Sequence, residues 1–248
     1  MDKVMLITGA SRGIGAATAR LAAAQGYALC LNYRQQRQTA EALAAEIVDA
    51  GGLAMAVQAD VADELQVQHL FATLDQHFGR LDVLVNNAGM LEPQMCLEQM
   101  DGARLQRVFG ANVFGSFFCA REAVKRMSTR HGGRGGVIVN LSSVAARLGA
   151  PHEYIDYAAA KGAIDSLTLG LAKEVAAEGI RVNAVRPGVI DTEIHASGGE
   201  PARVARVSQS VPMGRGGRAE EVAQAILWLA SEHASYTSGA LLDVSGGR

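Results

Sequence analysis

The chain predicts a doubly wound α/β fold, a parallel sheet covered by helices on both faces. Three observations predict it: short apolar runs alternate with helical patterns along nearly the whole length, a glycine-rich turn joins the first run to the first helical pattern, and polar motifs recur just past the ends of the runs. Strict alternation implies right-handed crossovers between parallel strands, and ligands of such sheets gather at the carboxyl ends of the strands. The 248 residues suffice for a sizeable core. With no internal repeat and no linker, a single domain over 1–248 is expected.

The first strand, Val4–Thr8, leads into Thr8-Gly9-Ala10-Ser11-Arg12-Gly13-Ile14-Gly15 and then an Ala-rich helix over Gly13–Gln25. Strand, glycine turn, helix is the order a phosphate cradle needs. The helix start offers free N–H groups, and the glycines let a pyrophosphate approach the backbone. Gly9, Gly13 and Gly15 are spaced G-x3-G-x-G, unlike the usual G-x-G-x-x-G. Further strands are expected at Ala28–Tyr33, Leu53–Gln58, Leu81–Asn86, Gly136–Leu141, Ile180–Val185 and Ala240–Val244, and helices at Arg37–Ala50, Glu64–Phe78, Ala103–Thr129, Tyr157–Ala177 and Ala219–Ala230. Asp60, Asn86, Ser143 and Pro187 then fall at strand ends. The stretch His131–Gly136 reads as a flexible connection without chemistry. Asp191–Gly217 is long, polar and rich in Gly, Ser and Arg, and a loop of that length inside a compact domain is expected to be a lid over the substrate.

Bulk properties exclude several classes. Net charge is −2 at neutral pH and aromatic residues make up 5% of the chain, so neither a basic stripe for nucleic acid nor an acidic solvating tail is present. Cys30, Cys96 and Cys119 lie far apart without metal-ligand spacing, which fits a reducing compartment. The first strand starts within a few residues of Met1 and no apolar run approaches a membrane span, so a soluble cytoplasmic protein is expected.

Tyr157 and Lys161, four apart at the start of a helical pattern, share one helical face. A free phenol has a pKa of about 10, and lowering it by ~3 units needs roughly 4 kcal/mol of preference for the phenolate. One cation at ~4 Å supplies about that much at the effective dielectric of a protein surface. The pair is thus a candidate acid/base.

The chain resembles the short-chain dehydrogenase/reductase family. The resemblance rests on Thr8 to Gly15, Asp60-Val61, Asn86-Asn87-Ala88-Gly89, Asn112, Asn140-Leu141-Ser142-Ser143, Tyr157 to Lys161, Arg186-Pro187-Gly188 and Leu242 to Gly247, which together span nearly the whole length. It implies a Rossmann-type fold with a seven-stranded, mostly parallel sheet, and hydride transfer between a nicotinamide cofactor and a carbonyl or secondary alcohol. It also implies roles. Tyr157 is the general acid/base, Lys161 lowers the phenol pKa and binds the ribose, and Ser143 hydrogen-bonds the reacting oxygen. Asn112 anchors a water that links Lys161 to solvent. None of these roles needs a metal. Ser143 rather than Ser142 is assigned because it precedes Val144-Ala145. Its distance to Tyr157 is one residue more than in the commonest members, and Gly149–Tyr154 is where the extra residue is expected to loop out.

For the cofactor, the glycine turn with Gly9, Gly13 and Gly15 is read as the phosphate cradle. The resemblance implies contacts from Asp60 to adenine, from Asn86, Ala88 and Gly89 along the adenosine ribose, and from Pro187, Gly188, Ile190 and Thr192 to the carboxamide, with Ser11, Ile14 and Val61 also among the cofactor-binding residues. Asp60 has a role as a turn residue as its alternative. Asn86 has a structural alternative, tying adjacent strands. Folds that prefer NAD place an acid about 20 residues after the glycines, yet no Asp or Glu lies between Gly15 and Ala40. Arg34 ends the second strand and Arg12 sits in the glycine turn, so two guanidinium groups can grip a 2′-phosphate. NADP(H) is favoured and NAD(H) is possible. Tyr154 is read as a pocket wall, and His152 and His195 as exposed or pocket-wall histidines. Family helices matching Ala103–Thr129 and Tyr157–Ala177 form subunit contacts, so a homotetramer is expected. Two other readings stay open: a catalytically silent NADP(H)-sensing protein, and a reductase docking an acidic carrier through Arg121, Lys125, Arg126 and Arg130.

Overall fold

A computed structural model describes residues 3–248. The seven strands β1 (Val4–Ile7), β2 (Ala28–Tyr33), β3 (Ala54–Gln58), β4 (Val83–Asn86), β5 (Gly136–Leu141), β6 (Ile180–Pro187) and β9 (Leu241–Val244) form one sheet in the order β3-β2-β1-β4-β5-β6-β9, with every pairing parallel. The order reverses at β1, which pairs with β2 on one side and β4 on the other. That crevice is where such sheets bind ligands.

Alternation along the strands sends side chains into two cores. Met5 and Ile7 of β1 join Leu29, Leu31, Val139 and Ile226 on one face, under α1 (Gly13–Ala24), α2 (Arg37–Asp49) and α10 (Ala219–Ala230). Leu6 between them joins Phe71, Met127, Ile138 and Val182 on the other, under α3 (Glu64–Phe78), α5 (Gly115–Met127) and α7 (Ile155–Val175). Strands buried on both sides read as unbroken apolar runs, which is why they were legible. Cys30 and Cys119 are buried in the second core as small apolar residues, and burial pushes the Cys119 thiol up to about 12.

Two expectations need correction. The helix expected over Ala103–Thr129 is not continuous: α4 (Gly102–Phe109) and α5 are joined by a single π turn, Gly110–Phe114, centred on Asn112. Gly115 is held in close packing there, since a Cβ on it would lie 2.6 Å from the Val61 side chain. Asp191–Gly217 is not an unstructured loop either. Ile190–Asp191 (β7) pairs in parallel with Gly217–Arg218 (β8), and two short helices, α8 (Ile194–Ser197) and α9 (Arg203–Ser208), lie between them. Both ends of the segment are therefore anchored on each other. The sequence hid this because two-residue strands and one-turn helices are too short to show a period.

The basic run from Arg121 to Arg130, on α5 and the turn after it, is also not a free patch. Arg121 pairs with Glu64, Lys125 and Arg126 with Glu122, Arg126 also with Asp75, and Arg130 with Glu178. These partners neutralise the face that an acidic carrier would need. Among the described residues no helix is long and apolar enough to cross a membrane.

Candidate active site

A cleft of about 570 Å³ runs along the carboxyl ends of the strands. Its floor begins at the glycine turn, where space is minimal. A Cβ on Gly9, whose φ is +62°, would lie 2.9 Å from Ala88 Cα, and one on Gly15 would lie 2.6 Å from the Gly9 carbonyl oxygen. Helix α1 starts with no side-chain cap and no acid in its first turn, so its free N–H groups and positive dipole end face the cleft unneutralised. These features fit the pyrophosphate of a dinucleotide.

Most of the sequence-predicted cofactor residues line this cleft: Gly9, Ser11, Arg12, Gly13, Ile14, Arg34, Asp60, Val61, Ala88, Gly89, Pro187, Gly188, Ile190 and Thr192. Gly15 and Asn86 stand behind the lining. Asn86 is 3% exposed and donates to Asn140 Oδ1 (2.9 Å) and the Ser116 carbonyl (3.2 Å), the structural alternative foreseen for it. Arg34 lies 3.7 Å from the Asp60 carboxylate. Arg12 crosses the cleft and donates to Ser197 Oγ of α8 at 2.9 Å, a partner its place in the glycine turn does not reveal.

Beyond Gly89 the cleft reaches Ser143, Tyr157 and Lys161. Strand β5 delivers Ser143, and α7 presents Tyr157 and Lys161 one turn apart. Lys161 is 4% exposed and donates to the Leu141 carbonyl at 2.7 Å, with Nζ 5.4 Å from the Tyr157 ring centre. Ser142 donates to the Lys161 carbonyl at 3.1 Å and so braces the helix, while Ser143 donates only a long contact to the Pro187 carbonyl at 3.5 Å. Asn112 lies fully buried behind the lining. Its amide donates to Val108 (2.9 Å) and Met90 (3.0 Å) carbonyls, and its Oδ1 accepts from Met90 N–H (3.3 Å). The π turn aims it at Gly89, where a Cβ would lie 2.8 Å from Asn112 Oδ1 and 3.6 Å from Lys161 Nζ. Gly89 is thus the thin partition between the two.

Electrostatics correct one expectation. Burial pushes the Tyr157 phenol up to about 12, against smaller lowering effects from Ser143 and Arg203. Burial also pulls the Lys161 ammonium down to about 8, with Asp165 acting in the raising direction. In the protein alone, desolvation of both groups outweighs any help the lysine gives the phenol. The sequence estimate assumed a surface dielectric, whereas Lys161 is buried and Tyr157 is half-buried in the cleft wall.

Sequence reasoning missed the groups around Tyr157. Asp156 accepts a buried, forked ion pair from Arg104 of α4 (Nε to Oδ2, 2.7 Å), and Arg104 Nη1 also donates to the Pro93 carbonyl at 2.6 Å. On the far wall, Arg203 pairs with Glu153 (2.6 Å) and Glu200 (3.0 Å), while Arg206 pairs with both acids. Gly149, Ala150 and His152 all adopt positive φ, so the turn before α7 is tightly wound where an extra residue was expected to loop out. An acid directly before Tyr157 was a visible signal for the first pair; nothing in the spacing joins Arg203 to Glu153.

A family described as Enoyl-(Acyl carrier protein) reductase matches residues 9–248. The chain is 57% identical to the uncharacterized oxidoreductase YgfF of Escherichia coli strain K12, over 99% of both chains, and 41% identical to a 3-oxoacyl-[acyl-carrier-protein] reductase of a Synechocystis species, over 99% of this chain and 96% of that one. A short-chain dehydrogenase/reductase mutant from Serratia marcescens superposes with a TM-score of 0.91 at 35% identity, over 99% of this chain and 97% of that one. The chain belongs to the short-chain dehydrogenase/reductase family. As a short-chain dehydrogenase/reductase it is an oxidoreductase acting between CH–OH and C=O groups with a nicotinamide cofactor. Among its described residues, no group of three or more His, Cys, Asp or Glu side chains could hold a metal.

Proposed function

We propose that this protein is an NADP(H)-dependent carbonyl reductase, reversible as an alcohol dehydrogenase, with Tyr157 as general acid and base. The observation that carries the reading is the convergence of Ser143, Tyr157 and Lys161 on one cleft with the glycine turn. When bound, the nicotinamide supplies the hydride for reduction and accepts it in the reverse direction. Tyr157 gives its proton to the carbonyl oxygen as the carbon gains hydride, and a phenol held protonated by burial is suited to that role. Ser143 donates a hydrogen bond to the same oxygen and stabilises the charge that grows there. Lys161 holds the ribose hydroxyls, and its ammonium then favours the phenolate that alcohol oxidation requires. Asn112, one glycine away from Lys161, keeps the proton route behind it open.

Arg34 and Arg12 would grip a 2′-phosphate, and the lack of an acid between Gly15 and Ala40, where β2 ends, leaves a ribose 2′-hydroxyl without its usual acceptor. The 191–217 segment serves as the lid, since its residues Thr192, Ile194, His195 and Arg203 line the cleft. A homotetramer is part of the proposal: Phe114, Phe117 and Leu169, on the helices expected at subunit contacts, are all more than 40% exposed. A reducing, cytoplasmic setting suits the free cysteines.

The deciding experiment titrates the purified protein with NADPH and NADH by fluorescence, then follows coenzyme oxidation against ketones, acetoacetyl thioesters and sugars. NADPH binds more tightly and at least one carbonyl turns over. Tyr157→Phe lowers kcat by about 10²–10⁴ without changing NADPH affinity. Equal affinity for the two coenzymes would remove the NADP assignment, and full activity in Tyr157→Phe would remove the mechanism.

A further inference from the structure

Among the described residues, the buried side-chain polar atoms without a hydrogen-bond partner are Arg80 Nε, Asn86 Oδ1, Tyr154 Oη and His195 Nδ1. Two of these four belong to residues that line the cleft and stand beside the same arginine. Arg203 lies 4.9 Å over the Tyr154 ring and acts electrostatically on His195. Tyr154 is 3% exposed and His195 7%. A polar atom buried without a partner is costly, and its persistence calls for something that completes it.

Both side chains are locked from behind. Arg203, tied to Glu153 and Glu200, clamps the Tyr154 ring. His195 Nε2 sits 2.9 Å from the Ile190 carbonyl oxygen. A carbonyl only accepts, so Nε2 carries the proton and Nδ1 presents a bare lone pair. Burial, followed by the nearby Arg203 charge, holds this imidazole below its ordinary pKa, which keeps Nδ1 an acceptor at neutral pH. The site therefore offers one acceptor nitrogen and one phenol that donates or accepts.

Charge at this end of the cleft is already balanced, because Arg203 and Arg206 pair with Glu153 and Glu200. A carboxylate or phosphate would have to break those pairs. The apolar side chains Leu91, Val144, Leu148 and Ile194 also line the cleft. A neutral molecule with a hydroxyl group matches this chemistry. Resting on the reading of Ser143, Tyr157 and Lys161 as a carbonyl-reducing centre, we propose that Tyr154 and His195 form a subsite for a substrate hydroxyl, so that the preferred substrate is a hydroxyketone, or the diol it gives on reduction. The hydroxyl donates to His195 Nδ1 and accepts from Tyr154 Oη. His195 rides on α8 and Tyr154 on the turn before α7. The subsite thus spans two walls, and because both polar atoms are closed off in this structure, the proposed binding includes a displacement of α8 that admits the hydroxyl.

Cyclohexanone and 2-hydroxycyclohexanone are matched probes. Oxidised coenzyme cannot reduce either ketone, but it could accept hydride from the secondary alcohol of 2-hydroxycyclohexanone. Calorimetry is therefore run on the oxidised-coenzyme complex in a Tyr157→Phe background, where neither direction proceeds appreciably and the heat reads affinity alone. NADPH oxidation by the Tyr157 enzyme reads turnover separately. The hydroxyketone is expected to bind at least about tenfold more tightly. Tyr154→Phe and His195→Leu each remove most of that preference and leave cyclohexanone affinity unchanged. His195→Gln retains part of it, since its amide can bond the Ile190 carbonyl and still offer an oxygen. Equal affinity for the two ketones, no binding of either, or an undiminished preference in Tyr154→Phe overturns the subsite. A binding preference without turnover of either ketone supports the subsite and overturns the reductase reading instead.

Discussion

The two halves of the cleft are built from different materials. The half beside β1 and β2 is backbone: Gly9 and Gly15 leave no room for a Cβ, and the uncapped start of α1 supplies the polar groups. The half beside β6 and α9 is side chain: Glu153, Tyr154, His195, Glu200, Arg203 and Arg206 meet from separate segments and hold one another by ion pairs and stacking. Backbone polar groups persist through substitution as long as the turn survives, so that half is suited to an invariant ligand. Side-chain walls can be exchanged one residue at a time, so this half is suited to setting specificity.

The largest effect is expected at the buried pair between α4 and α7, which underlies Tyr157 and belongs to neither half. Arg104→Ala strands the buried Asp156 carboxylate next to Tyr157 and releases the Pro93 carbonyl. Removing one partner of a buried pair costs about 3–5 kcal/mol, so thermal unfolding should fall by roughly 10 °C for a chain of this size. A change of only a degree or two would mean that the pair is dispensable.

Lys161→Met should move stability the other way. The lysine is buried and its pKa falls from the ordinary 10.5 to about 8. Below pH 8 it is charged in both folded and unfolded chains, and the folded state bears the full desolvation cost, roughly 3 kcal/mol. Part of this is offset by the Leu141 hydrogen bond. The variant is expected to be inactive yet more stable than wild type at pH 7. Its advantage should shrink as pH rises from 8 towards 10.5, where the folded lysine loses its proton before the unfolded one. Melting curves at pH 7 and 9.5 check both parts.

Gly15→Ala tests the backbone half. Its Cβ would press on the Gly9 carbonyl and the Asn87 amide, each 2.6 Å away. Overpacking of this kind costs about 1–3 kcal/mol, and it should appear as a ten- to hundredfold loss of coenzyme affinity with ketone specificity unchanged. Altered ketone selectivity would mean that the halves are not separable.

The smallest effect is expected at the ion pairs of the side-chain half. Arg203 and Arg206 hold the Glu153 and Glu200 carboxyls below their ordinary pKa, so their contribution is present above about pH 4.5 and is lost as pH falls through the folded values. These groups are partly exposed, and each pair is worth at most about 1 kcal/mol. Glu153→Gln, or a rise in salt, should modestly speed hydrogen exchange across α9 and leave the glycine turn unaffected. Equal acceleration in both regions would point to global unfolding instead.

Reading the sequence worked best where chemistry is local. Strands buried on both faces are continuous apolar runs, so the seven-stranded sheet was legible to within a residue or two at most ends. Gly9, Gly13 and Gly15 mark a turn because only glycine takes the positive φ or close approach needed there, and Tyr157 and Lys161 share a face through helical spacing alone. The π turn at Asn112 was not legible, because Gly110 and Gly115 bracket it within a pattern that otherwise reads as one helix. By itself the sequence determined the strands, the glycine turn and the shared helical face of Tyr157 and Lys161, since each depends on neighbours within a few positions. Only the tertiary structure decided that Lys161 is buried and Tyr157 half-buried, so that desolvation governs their protons. It alone brought Arg104 to Asp156 and Arg203 to Glu153 and Tyr154. Those pairings join residues about 50 positions apart, and which distant charge fills a given space depends on how helices pack, which no local spacing records.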